Sequence, residues 1–132
     1  MSVRRVLSVV PDLFFAARIA ETAKTLGVTL DSAGLAEAIA RARAASPDLV
    51  ILDLHAFGDP LAIVRAFKAD AALRAIPIVG FYSHVDAALR ATAIDAGIDH
   101  VLPRSAFTAR LAGILGGEMP TPARDADRST TP

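Results

Sequence analysis

Apolar residues in this chain gather in five short runs, separated by stretches where they recur every three or four positions. The runs are Arg5–Val10, Val28–Leu30, Leu49–Leu54, Ile76–Tyr82 and Ile98–Leu102, each of strand length. Leu49 to Leu52 are four consecutive aliphatics with no polar alternation. Such a run fits a strand buried on both faces, as in parallel sheets covered by helices. Between the runs, the spacing predicts helices over Leu13–Leu26, Leu35–Ala45, Leu61–Leu73, Val85–Ala96 and Ser105–Leu115. Phe15, Ile19, Ala23 and Leu26 make the buried stripe of the first, Leu35, Ile39 and Ala42 that of the second, and Val64 and Phe67 that of the third. Gly27, Gly97 and Gly116-Gly117 are placed as helix stops, and Pro47 breaks the second helix. Strands alternating with helices in this way imply an α/β fold. Its parallel sheet is built by right-handed crossovers that put helices on both faces.

The pattern stops at Gly117. Residues 118–132 hold three prolines, four Ser/Thr and five charges, with Met119 the only large apolar residue. That composition buries too little surface to offset ordering, so residues 1–117 are expected as one domain and 118–132 as a disordered tail. A chain of 132 residues suits one core. Although 53% of the residues are hydrophobic, no apolar run approaches the roughly eighteen residues of a membrane span. The start is read as a strand rather than a signal peptide, because Ser8 and Pro11 interrupt its apolar stretch. With no cysteine, thiolate metal sites and disulfides are excluded, which suits a cytoplasmic location. Fourteen basic and fourteen acidic residues balance, so the basic footprint of a nucleic-acid binder is missing, and neither nucleic acid nor membrane is expected as a partner.

Open α/β sheets place their ligand chemistry at the carboxyl ends of the strands. The residues delivered there are Pro11 and Asp12 after the first strand, Asp53 at the third, Tyr82 and Ser83 at the fourth, and Pro103 and Arg104 at the fifth. Two carboxylates, a hydroxyl and a cation could hold a phosphoryl group, or a divalent metal beside one. A carboxylate can attack phosphorus, while a metal or cation neutralises the transferring oxygens.

The strings PDLVILDL (47–54), IPIVGFYS (76–83) and AGIDHVLPR (96–104) resemble the receiver domain of two-component response regulators, over about residues 3–116. The resemblance implies a flavodoxin-like, doubly wound, five-stranded sheet in the order 2-1-3-4-5. It also implies Asp53 as a phosphoacceptor served by a histidine kinase, with a magnesium site, a switch hydroxyl and a phosphate-contacting cation around it. Carried over by position, the magnesium ligands fall on Asp12 and Asp53, with His55 beside them; the hydroxyl falls on Tyr82 or Ser83 and the cation on Arg104. The family's acid pair becomes Pro11-Asp12, its Thr/Ser becomes Tyr82, and its lysine becomes Arg104 followed by Ser105. Each departure matters chemically. A lost acid weakens magnesium binding, an arginine fork is not equivalent to a lysine ammonium, and a tyrosine ring cannot slide inward as threonine does.

The expected function is therefore a stand-alone, atypical receiver in phosphorelay signalling that works through protein contacts. It is no enzyme beyond self-phosphorylation and dephosphorylation at Asp53, and any magnesium is weakly held. Its partners would be a histidine kinase, a downstream effector, or a second copy through the face of the fourth helix, fifth strand and fifth helix. Two alternatives stay open: a pseudo-receiver that takes no phosphate and only binds partners or ligands, and a flavodoxin-like cofactor carrier. Each candidate also has a structural reading. Loop amides can satisfy Asp53, and Asp12 and Ser83 precede helices where they can cap. Asp53-Leu54-His55-Ala56-Phe57-Gly58 also resembles the cobalamin-binding string D-x-H-x-x-G, but it follows the third strand rather than the first, and the only Gly-Gly lies past the last helix. No dinucleotide or phosphate-loop motif is present, and metal geometry cannot be built by spacing from His84 and His100.

Overall fold

A computed structural model describes residues 4–83, 87–120, 122 and 123. Five strands, β1 (Arg5–Val9), β2 (Thr29–Ser32), β3 (Leu49–Asp53), β4 (Ile78–Tyr82) and β5 (His100–Pro103), form one parallel sheet in the order β2-β1-β3-β4-β5. The helices are α1 (Leu13–Leu26), α2 (Ala38–Ala45), α3 (Pro60–Ala69), α4 (Ala87–Ala96), α5 (Arg104–Ala109) and α6 (Leu111–Gly116). The expected fold class and strand order are both present. No described helix is long and apolar enough to cross a membrane.

Strand alternation divides the core in two. Leu7, Val9, Val50, Leu52, Ile78 and Tyr82 point to one side, where Ala38, Ala42, Val64, Phe67 and Ala93 of α2, α3 and α4 cover them. Val6, Leu49, Ile51, Val79 and Phe81 point to the other, under Ile19, Ala23, Phe107, Leu111 and Ile114 of α1, α5 and α6. All five residues of β3 are buried, as the unbroken aliphatic run requires.

Several boundaries differ from the sequence expectation, each for a local reason. The second helix opens with a 3₁₀ turn over Leu35–Glu37. The third begins at Pro60, capped by the Asp59 carboxylate, and stops at Ala69 rather than Leu73 because Asp70 turns extended. The last helix breaks at Arg110 into α5 and α6. Ile19 and Ala23 of the first stripe are buried and Phe15 is half-buried, but Leu26 is exposed next to the cap. That cap is Gly27, whose left-handed backbone (φ 71°) ends α1 as its position predicts. The expected start of the fourth helix at Val85 lies outside the described residues, as does His84.

The chain also does not leave the body at Gly117. Glu118 donates its backbone N–H to Gly113, Met119 packs on the α1–α6 side, and Ala123 is buried with its N–H on the Asp99 carbonyl at 2.7 Å. Of the expected tail, Glu118, Met119 and Ala123 make these contacts with the body; residues 121 and 124–132 lie outside those described.

The amino edge of the sheet is closed by a satisfied polar hub. Lys68 Nζ donates to the carbonyls of Arg74 (3.1 Å) and Ile76 (3.2 Å) and to Asp99 Oδ2 (2.7 Å), which also accepts the Ile78 N–H at 2.8 Å. Lys68→Met is expected to cost about 2 kcal/mol, because bonds to charged groups contribute about 1.5–3 kcal/mol; urea unfolding should show a lower midpoint at unchanged slope. Nearby, Arg43 of α2 pairs with Asp70. That bond, with the Ala72 N–H, holds the Asp70 carboxyl below the usual carboxylate value. Its contribution is therefore present above the unfolded-state pKa and lost as pH falls through the folded one. Stability curves of wild type and Asp70→Asn should differ at neutral pH and converge in acid, with salt narrowing the gap.

Candidate functional site

At the carboxyl edge, Asp53 ends β3 with only 5% of its surface exposed. The chain turns back at once. Asp53 Oδ1 accepts the His55 N–H at 2.8 Å, and the Asp53 carbonyl accepts the Ala56 N–H at 3.1 Å. A short polar side chain bonded to the backbone two residues on is the usual device for such a turn. It satisfies one carboxylate oxygen and leaves the other directed elsewhere.

Oδ2 faces Arg104. Arg104 Nη2 lies 4.0 Å from it, close enough for charge pairing but beyond hydrogen-bond length. Arg104 opens α5, so its position follows from the end of β5, and its side chain is laid over aromatic rings. The guanidinium carbon sits 4.6 Å from the centroid of Phe15 and 5.5 Å from that of Phe81. Phe15, Phe81 and Phe107 themselves stack, at 4.9 Å between the first two and 4.8 Å between the last two, tying α1, β4 and α5 together. With 39% of the side chain exposed, a cation on a ring gains about 0.5–1 kcal/mol rather than the roughly 2 kcal/mol of a desolvated one. The rings orient Arg104 without locking it. Its Nε is buried and has no hydrogen-bond partner, so the guanidinium keeps unused donor capacity beside Asp53.

The other expected site residues are less closely joined. Asp12 is exposed and caps α1, its Oδ1 accepting the Phe15 N–H at 3.0 Å. His55 meets Asp53 through its backbone N–H, while its side chain is exposed. Among the described residues, no three His, Cys, Asp or Glu side chains cluster so as to hold a metal ion, and Asp12, Asp53 and His55 are not brought together as one. Tyr82 is buried on the α2–α4 side of the sheet, opposite to Phe81, so its ring does not share the face on which Arg104 stacks. Ser83 follows it, half-buried, at the same edge.

Sequence reading missed two features. Phe15 was counted as core stripe, yet its ring is the platform under Arg104. Leu13 (82% exposed) and Phe14 (92%) in the first turn of α1, and Phe57 (100%) in the loop after β3, stand in water beyond the ends of neighbouring strands. The signal for Leu13 and Phe14 was available, since both are apolar but fall off the helical stripe. Phe57 also lines, with Val9, Pro11, Ala33, Leu35 and Ala56, a hollow of about 190 Å³. Gly58 (φ 118°) turns the β3–α3 loop there, so close to Leu35 that a Cβ would meet its Cδ1 at 3.0 Å.

This architecture is similar to that of receiver domains. The phosphorylated cyanobacterial phytochrome response regulator RcpA matches with a TM-score of 0.74 at 22% identity, over 88% of this chain and 91% of that one. The chemotaxis response regulator CheY4 of Vibrio cholerae matches with a TM-score of 0.77 at 18% identity, over 89% and 100%. A signal receiver domain from Bermanella marisrubri matches with a TM-score of 0.72 at 22% identity, over 86% and 99%. No protein-family model and no curated protein matches the chain. At such identities the likeness establishes the fold: a flavodoxin-like receiver architecture carried by a divergent sequence.

The capping role of Asp12 has a direct test. Asp12→Ala should lower stability by about 1 kcal/mol, the usual cost of losing a helix cap, whereas Asp12→Asn should keep it within a few tenths. Thermal and urea unfolding of the two variants provide the measurement.

Proposed function

We propose that this chain is a receiver-type signalling module in which Asp53 accepts a phosphoryl group and the response passes to other proteins. The observation that carries the reading is the pairing geometry at Asp53: a buried carboxylate with one oxygen tied to its own loop and the other facing a cation with spare donors. Phosphoryl transfer asks the protein mainly for positioning and charge neutralisation. A carboxylate at the end of β3 and a guanidinium at the start of α5 supply a nucleophile and a charge partner. The likeness to RcpA, a response regulator crystallised in its phosphorylated form, supports the same reading. Leu13, Phe14 and Phe57 support a protein partner, since apolar side chains left in water at the carboxyl edge of the sheet offer contact area to something that docks there. A histidine kinase or phosphotransfer protein delivering the group, and an effector sensing the result, are the partner classes this reading implies.

A second reading has its own observation. With Pro11 in place of an acid and the Tyr82 ring packed in the opposite core, the parts that would respond to phosphate are reduced. On that reading the chain is a pseudo-receiver that uses the same exposed rim for binding alone.

Acetyl phosphate separates the two. Incubated with it in the presence of magnesium, the wild-type chain should gain the mass of one phosphoryl group, labile in alkali, and Asp53→Asn should gain none. Absence of the adduct, or its survival in Asp53→Asn, favours the pseudo-receiver.

A further inference from the structure

The magnesium ion that the fold family implies does not fit the residues of this crevice. A hydrated divalent cation is held by one or two carboxylates turned towards it. Here Pro11 offers no side-chain oxygen, and Asp12 is exposed and uses Oδ1 to cap α1. Asp53 uses Oδ1 on the His55 N–H, and its other oxygen already faces the guanidinium of Arg104. The position beside the reactive oxygen is served by a side-chain cation.

We propose that Phe15 is a positioning residue that seats Arg104 as the resident cation of the Asp53 crevice, so that phosphoryl transfer to Asp53 proceeds without a divalent metal. The inference rests on the phosphoacceptor reading above. Four observations converge on it. The guanidinium lies over the Phe15 ring at 4.6 Å and reaches Asp53 Oδ2 at 4.0 Å, so one seat fixes its distance from the nucleophile. The Phe15 ring is itself held by its stack on Phe81 and Phe107, and its backbone by the bond from its N–H to the Asp12 carboxylate. Arg104 opens α5 directly after β5, which sets it at the same sheet edge as Asp53. Its Nη2 stands beyond hydrogen-bond length from Asp53 Oδ2, and a planar fork with donors to spare suits phosphoryl oxygens.

In the step, Asp53 Oδ2 attacks the phosphorus of a phosphodonor such as acetyl phosphate. The new P–O bond forms as the bond to the acetyl oxygen breaks, and acetate leaves with the electron pair. No redox change occurs. Arg104, held over the Phe15 ring, meets the charge on the phosphoryl oxygens with its free donors.

The test follows adduct formation by intact mass with acetyl phosphate, in magnesium and in EDTA. Wild type is expected to react at rates within about twofold in the two media. Phe15→Leu should slow both about fivefold, close to 1 kcal/mol at 1.36 kcal/mol per decade, while Phe15→Tyr, which keeps the ring, restores the wild-type rate. Arg104→Met, which keeps a flexible apolar chain over the rings and removes the charge, should be slower still in both media, and magnesium should not rescue it. A wild-type adduct that forms only with magnesium overturns this inference and leaves the phosphoacceptor reading standing. So does a Phe15→Leu or Arg104→Met variant as fast as wild type. No adduct in either medium overturns both.

Discussion

Burial of β3 on both faces is the constraint from which the rest of the structure follows. Leu49 to Leu52 have no solvent face, so helices must cover the sheet on each side. Parallel strands then require crossovers, and right-handed ones deliver α2, α3 and α4 to one face and α1, α5 and α6 to the other. Polar side chains are excluded from the middle of the central strand and admitted only at its ends. Asp53 is the first residue of that strand permitted to be charged, and it remains almost fully buried. A carboxylate so placed must find partners, because unpaired buried charge is costly. The loop amide of His55 and the guanidinium of Arg104 are the partners it finds.

The two edges of the sheet treat polar groups differently. At the amino edge, Lys68 and Asp99 close a network in which each carbonyl, amide and charge has a mate. The Ala123 N–H adds to it by bonding the Asp99 carbonyl. That edge is stabilising and finished. At the carboxyl edge, Asp53 and Arg104 stand just beyond hydrogen-bond length, Arg104 Nε lacks a partner, and Leu13, Phe14 and Phe57 face water. Unmet donors and exposed apolar rings cost stability, and a fold tolerates them where another molecule or group completes them. The asymmetry matches the rule that open α/β sheets do their chemistry at the carboxyl ends of strands.

Aromatic stacking links the reactive edge to the core. Phe107 of α5, Phe81 of β4 and Phe15 of α1 pack against one another as a cluster, and the Phe15 ring carries the guanidinium. Arg104 and Phe15 thus join the crevice at Asp53 to the core in one packed unit. Asp12 belongs to that unit as a helix cap, which explains an acid after β1 without recourse to a metal.

Much of this was legible in the chain itself. Unbroken aliphatics marked β3, three- and four-residue spacing marked the helices, Gly27 marked an end, and the residues after the strands named Asp12, Asp53, Tyr82, Ser83 and Arg104 as the candidate edge. These features depend on local periodicity and on backbone chemistry, which a sequence carries directly. The extent of packing after Gly117 was not legible, because whether a small residue such as Ala123 is buried depends on the surface it meets. Nor was the split roster around Asp53: that Tyr82 turns into the opposite core, that His55 offers an amide rather than a ring, and that Phe15 serves as a platform. Spacing along a strand or helix says which residues share a face. The distance between side chains of different elements is set by how the sheet twists and the helices settle on it, and only the tertiary structure decided that Arg104 would rest on a ring within reach of Asp53.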